Sequence, residues 1–304
     1  MQITASMVKE LRDKTNAGMM DCKKALTETN GDIDKAIDYL REKGLSQAAK
    51  KSGRIAAEGL TTALISADEK KGVVIEINSE TDFVAKNDEF VNFVKEVAQA
   101  ALDNEPADME ALKKVVLSGG KTVEDTLTDK ISKIGENMSV RRFEQLKVKD
   151  GIVVEYIHGG GKISVLVALE STGDKEALEI LGKDLAMQVA AMNPKYISRE
   201  DVDDEFIARE KEILKAQALN EGKPEHIVEK MVEGRLQKEL KEVCLLEQAF
   251  VKDADLTVKK VISDTAAKIG SDIKIAGLLR YEVGEGIERK SENFADEVAK
   301  QMGL

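Results

Sequence analysis

Apolar residues in the first fifty positions recur at helical spacing and predict three short helices. These helices are expected over residues 4–13, 19–27 and 33–44. The second would carry Met20, Ala25 and Leu26 on its apolar face, and Gly44 would end the third. Since each short helix has only one apolar face, we expect the three to pack together as a small helical unit.

The hydrophobic pattern that follows occurs twice. When the sequence is shifted by 90 residues, the apolar run 73–77 overlays the run 163–167. Each run is predicted to be a strand that follows another strand and a tight turn, and an amphipathic helix comes after each. The chain is therefore predicted to contain an internal repeat that begins with a hairpin and a helix.

A second module repeats at a shift of 135 residues. The positions Thr122-Val123 and Lys133-Ile134-Gly135 match Thr257-Val258 and Lys268-Ile269-Gly270 without a gap. In both copies a helix is predicted before the shared glycine and a strand after it. Each half would thus be a hairpin, two helices and a strand, with the helices on one face of a small antiparallel sheet, which is an α+β arrangement.

The difference between the two shifts indicates an insertion in the second half. Residues 201–219 and 224–246 read as two long, charged, amphipathic helices joined at Gly222-Lys223-Pro224, so an antiparallel helical hairpin is expected. Two roles remain open for it: a solvated projection, or an arm for a partner or for self-association. The predicted division is 1–55 helical module, 56–147 first core subdomain, 148–193 with 247–284 second core subdomain, 194–246 helical hairpin, and 285–304 carboxyl-terminal module with a helix over 293–302.

One loop differs between the two copies. Thr81-Asp82-Phe83-Val84 in the first copy lies opposite Ser171-Thr172-Gly173-Asp174 in the second. The second set has the small polar residues that a solvent-facing turn favours, whereas the first has an aromatic and a branched residue. Phe83 either folds back onto the core or projects to enter a pocket of a partner protein.

Composition argues against several classes of function. The chain has 304 residues, 42% of them hydrophobic, and 57 acidic against 46 basic residues give it a net charge of −11. Such an acidic chain has no overall field to attract nucleic-acid phosphates. The chain has two histidines and two cysteines, which are scattered and form no metal-ligand or nucleophile pattern, so we expect no cofactor, no metal site and two reduced thiols. No signal peptide or stretch of about 18 apolar residues is found, so a soluble, cytoplasmic protein without membrane contact is expected.

Four sequence blocks resemble the bacterial elongation factor Ts family. They are Met19-Met20-Asp21-Cys22-Lys23-Lys24-Ala25-Leu26, Thr81-Asp82-Phe83-Val84-Ala85-Lys86, Lys133-Ile134-Gly135-Glu136-Asn137 and Glu282-Val283-Gly284-Glu285-Gly286-Ile287. The resemblance runs from Ile3 to the carboxyl-terminal helix, with the blocks in family order. It implies a ubiquitin-associated-like first module, a coiled-coil insertion, and a guanine-nucleotide exchange factor in translation whose partner is elongation factor Tu.

The resemblance also implies roles for individual residues. The loop Thr81–Val84 would displace magnesium from the GTPase, with Phe83 inserted between partner side chains and Asp82 near the magnesium site. Arg12, Met19, Met20 and Lys23 match the part of the first module that contacts the GTPase domain. For Met20 a place in the bundle core is the alternative.

Two further positions match contacts that the family makes elsewhere on the partner, including a second domain. His158 matches a family histidine in the hairpin turn of the second half that touches the partner's phosphate-loop side or a neighbouring domain, and it could equally be only a turn residue. Val251 matches another contact, but Lys252 beside it is not the apolar residue expected there. The insertion 194–246 matches the family's dimerisation arm, which leaves homodimerisation open because no pair of facing cysteines is present.

A protein-interaction adaptor is the rival hypothesis, with the first bundle binding one protein and the helical arm another. It would bind without changing nucleotide release and would give Phe83 no special role. An enzyme is a third reading, and no constellation of residues supports it. The aromatic loop, present in one copy and missing from the other, favours exchange over the adaptor.

Overall fold

The computed structural model describes residues 3–15 and 17–288. It is a mixture of helices and small sheets, as in an α+β protein. The chain divides into two compact units: the first has the residues up to Thr61, Ile75–Phe143 and the segment from Glu282, and the second has Thr62–Val74 and Glu144–Tyr281. The five-part division given above stays a prediction, and its helix over 293–302 lies outside the described residues.

Three helices form the amino-terminal part, α1 Ala5–Thr15, α2 Met19–Glu28 and α3 Ile33–Lys51. Their facing side chains make a small core, whose buried members are Val8, Leu11, Cys22, Ala25, Leu26 and Ala36. The prediction that the third helix ends at Gly44 is wrong, because α3 continues to Lys51. Gly44 is instead buried inside the helix, where an added Cβ would lie 3.7 Å from the side chain of Thr128.

Two strands, four helices and a third strand follow the bundle. The next elements are β1 Glu58–Ile65, β2 Lys71–Ser79, α4 Asp82–Ala85, α5 Asp88–Asn104, α6 Met109–Lys114, α7 Val123–Ile134 and β3 Met138–Lys147. The three strands form one sheet in the order β1-β2-β3. Helix α5 is amphipathic, and its buried face is made by apolar residues from Phe90 to Leu102.

The second half begins with a second hairpin. Its elements are β4 Gly151–His158, β5 Ile163–Glu170, α8 Lys175–Met192, α9 Asp204–Asn220, α10 Glu225–Val243, β6 Ala249–Phe250, β7 Asp253–Thr257, α11 Val258–Ile269 and β8 Lys274–Glu282. Strands β4 and β5 are antiparallel, Gly151 lies opposite Glu170, and β8 joins the same sheet beside β5. Leu185 and Val189 of α8 pack with Val165 and Val167 of β5 in the core of this unit. The two-stranded β6–β7 sheet was not predicted.

The repeated helices α7 and α11 have the same length and the same caps. Thr122 and Thr257 each accept a hydrogen bond from the backbone N–H three residues on, and each helix ends at a glycine in left-handed conformation. Gly135 has φ 89° and Gly270 has φ 64°. The 135-residue repeat read from the sequence is therefore present in the structure down to its helix boundaries.

Helices α9 and α10 pack against each other as a helical hairpin. They share an apolar seam whose buried residues are Val202, Leu214, Ala218, Val228, Val232, Leu236, Leu240 and Cys244. Gly222, with φ 74°, lies in the connection between them. The helical hairpin predicted for this insertion is thus observed. Among the described residues no helix is long and apolar enough to span a membrane.

Candidate partner-binding site

The segment predicted as a loop at 81–84 is a single helical turn. Thr81 caps α4, and its Oγ1 accepts a hydrogen bond from the N–H of Val84 at 3.4 Å. Val84 and Ala85 form the buried side of this turn, while Phe83 is 80% exposed. The alternative in which Phe83 folds back onto the core is therefore wrong. Val84 packs inward and supports the turn.

Asp82 lies beside Phe83 on the surface of the same turn. Its carboxylate forms an ion pair with Lys86 at 2.6 Å, one helical turn later. Both side chains are largely exposed, so solvent screens this pair and it contributes little to stability. The ion pair with Lys86 would therefore cost little to break.

The carboxylate of Glu136, which follows the carboxyl-terminal glycine of α7, holds the start of this turn. Glu136 accepts two hydrogen bonds from Thr81, one from its hydroxyl at 2.7 Å and one from its backbone N–H at 3.1 Å. Glu80 does the converse, since it accepts the backbone N–H of Asn137 at 2.5 Å. The loops 80–81 and 136–137 thus bind each other through two carboxylates.

The corresponding place in the second copy lacks these features. Asp174 caps α8 directly there, so no separate turn precedes the long helix. Gly173 stands where the first copy has Phe83. A side chain there would point inward, since an added Cβ would lie 2.5 Å from Ile269 Cδ1. An outward aromatic residue is thus a feature of the first copy of the repeat.

The first helical bundle carries a second exposed apolar surface. Met19 and Met20 lie at the start of α2 and both are exposed, Met20 to 74%. The prediction of Met20 on the apolar face is wrong, because Cys22, Ala25 and Leu26 form that face.

Two charged side chains of the same module are exposed as well. Arg12 on α1 and Lys23 on α2 are also exposed. The four residues that the sequence singled out in this module are therefore accessible to a partner.

Both cysteines are free and buried, as expected of reduced thiols. Burial raises the pKa of the Cys22 thiol, and it does the same for Cys244. Among residues 3–15 and 17–288, no group of three or more His, Cys, Asp or Glu side chains is arranged to hold a metal ion.

His158 and Val251 belong to the second unit. His158 is exposed at the end of β4, and its Nδ1 lies 3.0 Å from the hydroxyl of Tyr156. Gly159 to Gly161 follow it with positive φ and close the turn to Ile163, which confirms the predicted hairpin. Val251 is exposed between β6 and β7, while its backbone N–H donates to the buried Gln188 at 2.7 Å.

Comparisons with known proteins match the chain over nearly its full length. The family model described as Elongation factor TS matches residues 80–285. The chain is 58% identical over 301 residues to the elongation factor Ts of Clostridioides difficile strain 630, with 99% of each chain covered. The chain belongs to the elongation factor Ts family. It is also 56% identical over 301 residues to elongation factor Ts of Clostridium perfringens strain SM101 and 55% identical over 302 residues to that of Clostridium tetani, again with 99% of each chain covered.

Membership of the elongation factor Ts family makes this protein a translation elongation factor and not an enzyme. The family model includes the Phe83 turn, His158 and Val251, whereas the methionine pair of α2 is covered by the full-length relatives. Glu80 and Glu136 were not singled out as functional residues. Their partners are more than fifty residues away along the chain, and the sequence marked Glu136 only as a neighbour of the repeated Gly135 and as a member of the family-like block 133–137.

Proposed function

We propose that this protein is a guanine-nucleotide exchange factor that binds elongation factor Tu with GDP, displaces Mg²⁺ with the Phe83 turn and promotes GDP release. The exposed phenyl ring of Phe83 carries the proposal. Leaving a phenyl group in water instead of burying it costs roughly 2 kcal/mol. That cost is recovered when a partner covers the ring, and the second copy of the repeat, with Gly173 in the same place, has no such side chain.

Magnesium bridges the phosphate oxygens of a bound nucleotide and neutralises their charge. A ring inserted beside the metal site would move the groups that hold the ion, and the Asp82 carboxylate would disturb the charges around it. The ion pair of Asp82 with the exposed Lys86 would cost little to break when the carboxylate meets a new partner. Loss of the ion weakens the hold on GDP without any covalent step, so the factor needs no nucleophile or base.

The remaining exposed positions would provide affinity. Arg12, Met19, Met20 and Lys23 would contact the GTPase domain, with the two methionines as apolar anchors inside a charged rim. His158 would contact the phosphate-loop side of elongation factor Tu or a neighbouring domain, and Val251 would make a further contact with the same partner. The helical hairpin 194–246 would act as a coiled-coil arm for homodimerisation, which sedimentation of the chain with and without residues 204–243 tests. The likeness of the first bundle to ubiquitin-associated modules and the cytoplasmic location remain predictions.

Stopped-flow release of a fluorescent GDP from elongation factor Tu tests the exchange proposal. The wild type, Phe83→Ala, Asp82→Ala and Val116→Ala would be compared after circular dichroism has confirmed folding. Val116 is a matched control, because it is an exposed apolar residue of the same unit outside the turn. We expect the wild type and Val116→Ala to accelerate release strongly, and Phe83→Ala to lose about tenfold or more of the acceleration.

The other outcomes separate the alternatives. Acceleration that survives both turn substitutions would keep exchange and remove the magnesium mechanism. Binding of the wild type without any acceleration would favour the adaptor hypothesis, for which the exposed methionine pair of the bundle is the supporting observation.

A further inference from the structure

The turn that carries Phe83 is too short to be stable alone. It has four residues, and a single helical turn fixes many backbone dihedrals for few hydrogen bonds. Its orientation must therefore come from contacts outside itself. Burial of Val84 and Ala85 holds it from beneath, and the Glu136 carboxylate holds its amino-terminal end through Thr81.

The grip of Glu136 on Thr81 uses both carboxylate oxygens. Oε1 accepts the Thr81 hydroxyl and Oε2 accepts the Thr81 backbone N–H, so the carboxylate plane and the residue that caps α4 are fixed together. Such charge-assisted bonds are stronger than neutral ones and more specific in direction. The loop that contains Glu136 is itself held in place. Glu80 accepts the N–H of Asn137, and the Asn137 side chain donates to the Arg54 carbonyl at 2.7 Å.

The internal repeat supplies a comparison for this contact. At the shifts of 90 and 135 residues, Thr81 corresponds to Ser171 and Glu136 corresponds to Ser271. These two serines also meet, with their hydroxyl oxygens 3.2 Å apart. Both copies therefore join the same two loops, but a carboxylate makes the contact only in the copy that presents an aromatic residue.

We propose that Glu136 is a positioning residue that fixes the direction of the Phe83 side chain before the partner is met. This inference rests on the proposed exchange function and assigns a role in it to a residue that need not touch the partner. A ring held in one direction loses less freedom on binding, so preorganisation contributes to exchange without a new contact.

Glu136→Gln tests the proposal with little change of shape. The glutamine amide has one accepting oxygen, so when that oxygen takes the Thr81 N–H the Thr81 hydroxyl must accept from the amide instead of donating, and both bonds lose their charge-assisted strength. We expect GDP release from elongation factor Tu to be accelerated about tenfold less than by the wild type. Thr81→Val, which removes the hydroxyl donor and keeps the side-chain volume, should have an effect in the same direction.

Glu96→Gln is the matched control. Glu96 of the same unit also accepts both the backbone N–H, at 3.0 Å, and the hydroxyl of one residue, Ser118, on another surface loop. Both bonds end on Oε1 of Glu96, so this variant removes the charge of a similar contact between loops and should leave exchange unchanged. An equal loss of exchange in Glu96→Gln and Glu136→Gln would overturn the proposal, because general loosening of the unit would then explain both.

A double-mutant cycle with Phe83→Ala distinguishes positioning from an independent contact. If Glu136 acts through Phe83, Glu136→Gln should cause almost no further loss once Phe83 is alanine. Losses that multiply in the double mutant, or an unchanged rate for Glu136→Gln beside a slowed Phe83→Ala, would overturn the proposal. In that second case the exchange proposal would stand.

A measurement on the free protein is independent of exchange. The chain has no tryptophan, so Phe83→Trp gives a single fluorescent reporter at the turn. We expect faster local depolarisation of this tryptophan when Glu136→Gln is added and no change when Glu96→Gln is added. Equal depolarisation in all three proteins would overturn positioning, whereas failure of the wild type to release GDP would overturn only the exchange proposal.

Discussion

At the scale of single residues, Glu76 of β2 is a fully buried carboxylate with several partners in the first unit. It accepts the Gly284 N–H at 2.7 Å, the Asn78 side-chain amide at 3.0 Å, Arg141 at 3.0 Å and Arg142 at 2.6 Å. Burial by itself raises the pKa of this carboxyl, but the hydrogen bonds and the Arg142 charge outweigh it and lower the pKa. Glu76 therefore ties the segment after Glu282 to the sheet of its unit as a carboxylate.

Replacement of Glu76 should be costly at neutral pH. Removing one member of a buried ionic network takes a charged partner from each of the others, so we expect Glu76→Ala to lower the free energy of unfolding by about 3 kcal/mol. Arg141 and Arg142 are part-exposed and can be hydrated again, which keeps the loss at the lower end of the range. Urea unfolding measures the effect, and Glu110→Ala, which breaks an exposed pair with Lys113, is the control with a change below about 0.5 kcal/mol.

The pH dependence of this difference follows from the lowered pKa of Glu76. Its contribution is fully present above the pKa of the unfolded state, about 4.3, and is lost as the pH falls through the lower folded pKa. The gap between wild type and Glu76→Ala should therefore be constant from pH 7 to about pH 5 and should narrow below about pH 4. A gap independent of pH down to pH 3 would show that the carboxylate charge does not matter.

At the scale of elements, the glycines that end α7 and α11 are required by backbone conformation. Both have φ in the left-handed region, and a Cβ at either position would meet no atom within 4 Å. The cost of a side chain there is therefore conformational only. We expect Gly135→Ala and Gly270→Ala each to lower the free energy of unfolding by about 1 kcal/mol.

Thermal unfolding followed by circular dichroism measures this cost. Gly119→Ala is the matched control, because its Cβ also meets no atom within 4 Å and its φ is not in the left-handed region. That variant should be as stable as the wild type. If Gly135→Ala were equally stable, the glycine would not be needed to end the helix.

The same elements show what a sequence can and cannot predict. Caps, terminal glycines and the apolar period are local, so α7 and α11 were predictable from their repeated pattern. The turn α4 was missed because four residues show no period and because Thr81 depends on Glu136, which is far away along the chain. Met20 was assigned to the wrong face of α2, since in a ten-residue helix two adjacent methionines fit either side of the period. The sequence identified the candidate residues of the site, but the directions of their side chains depend on packing and on contacts with distant residues.

At the scale of the whole molecule, the exposed residues fall into two kinds of contact. The Phe83 turn would act on the nucleotide site, whereas the methionine pair of α2 would hold the partner whatever nucleotide it carries. Only a contact that is stronger in the nucleotide-free state can accelerate release. Removal of either surface should weaken binding of elongation factor Tu. Only removal of the Phe83 turn should change the ratio between the affinities for its nucleotide-free and GDP-loaded forms.

Linkage gives the last prediction. If the factor weakens GDP binding to elongation factor Tu by some ratio, GDP must weaken binding of the factor by the same ratio. Titration calorimetry of the factor against nucleotide-free and GDP-loaded elongation factor Tu measures that ratio. We expect Phe83→Ala to reduce it by about tenfold, and Met20→Ala to weaken both affinities equally and leave it unchanged. Alanine has the highest helix propensity and Met20 is exposed, so Met20→Ala should remain folded. A ratio that falls with Met20→Ala and survives Phe83→Ala would move the coupling from the turn to the bundle.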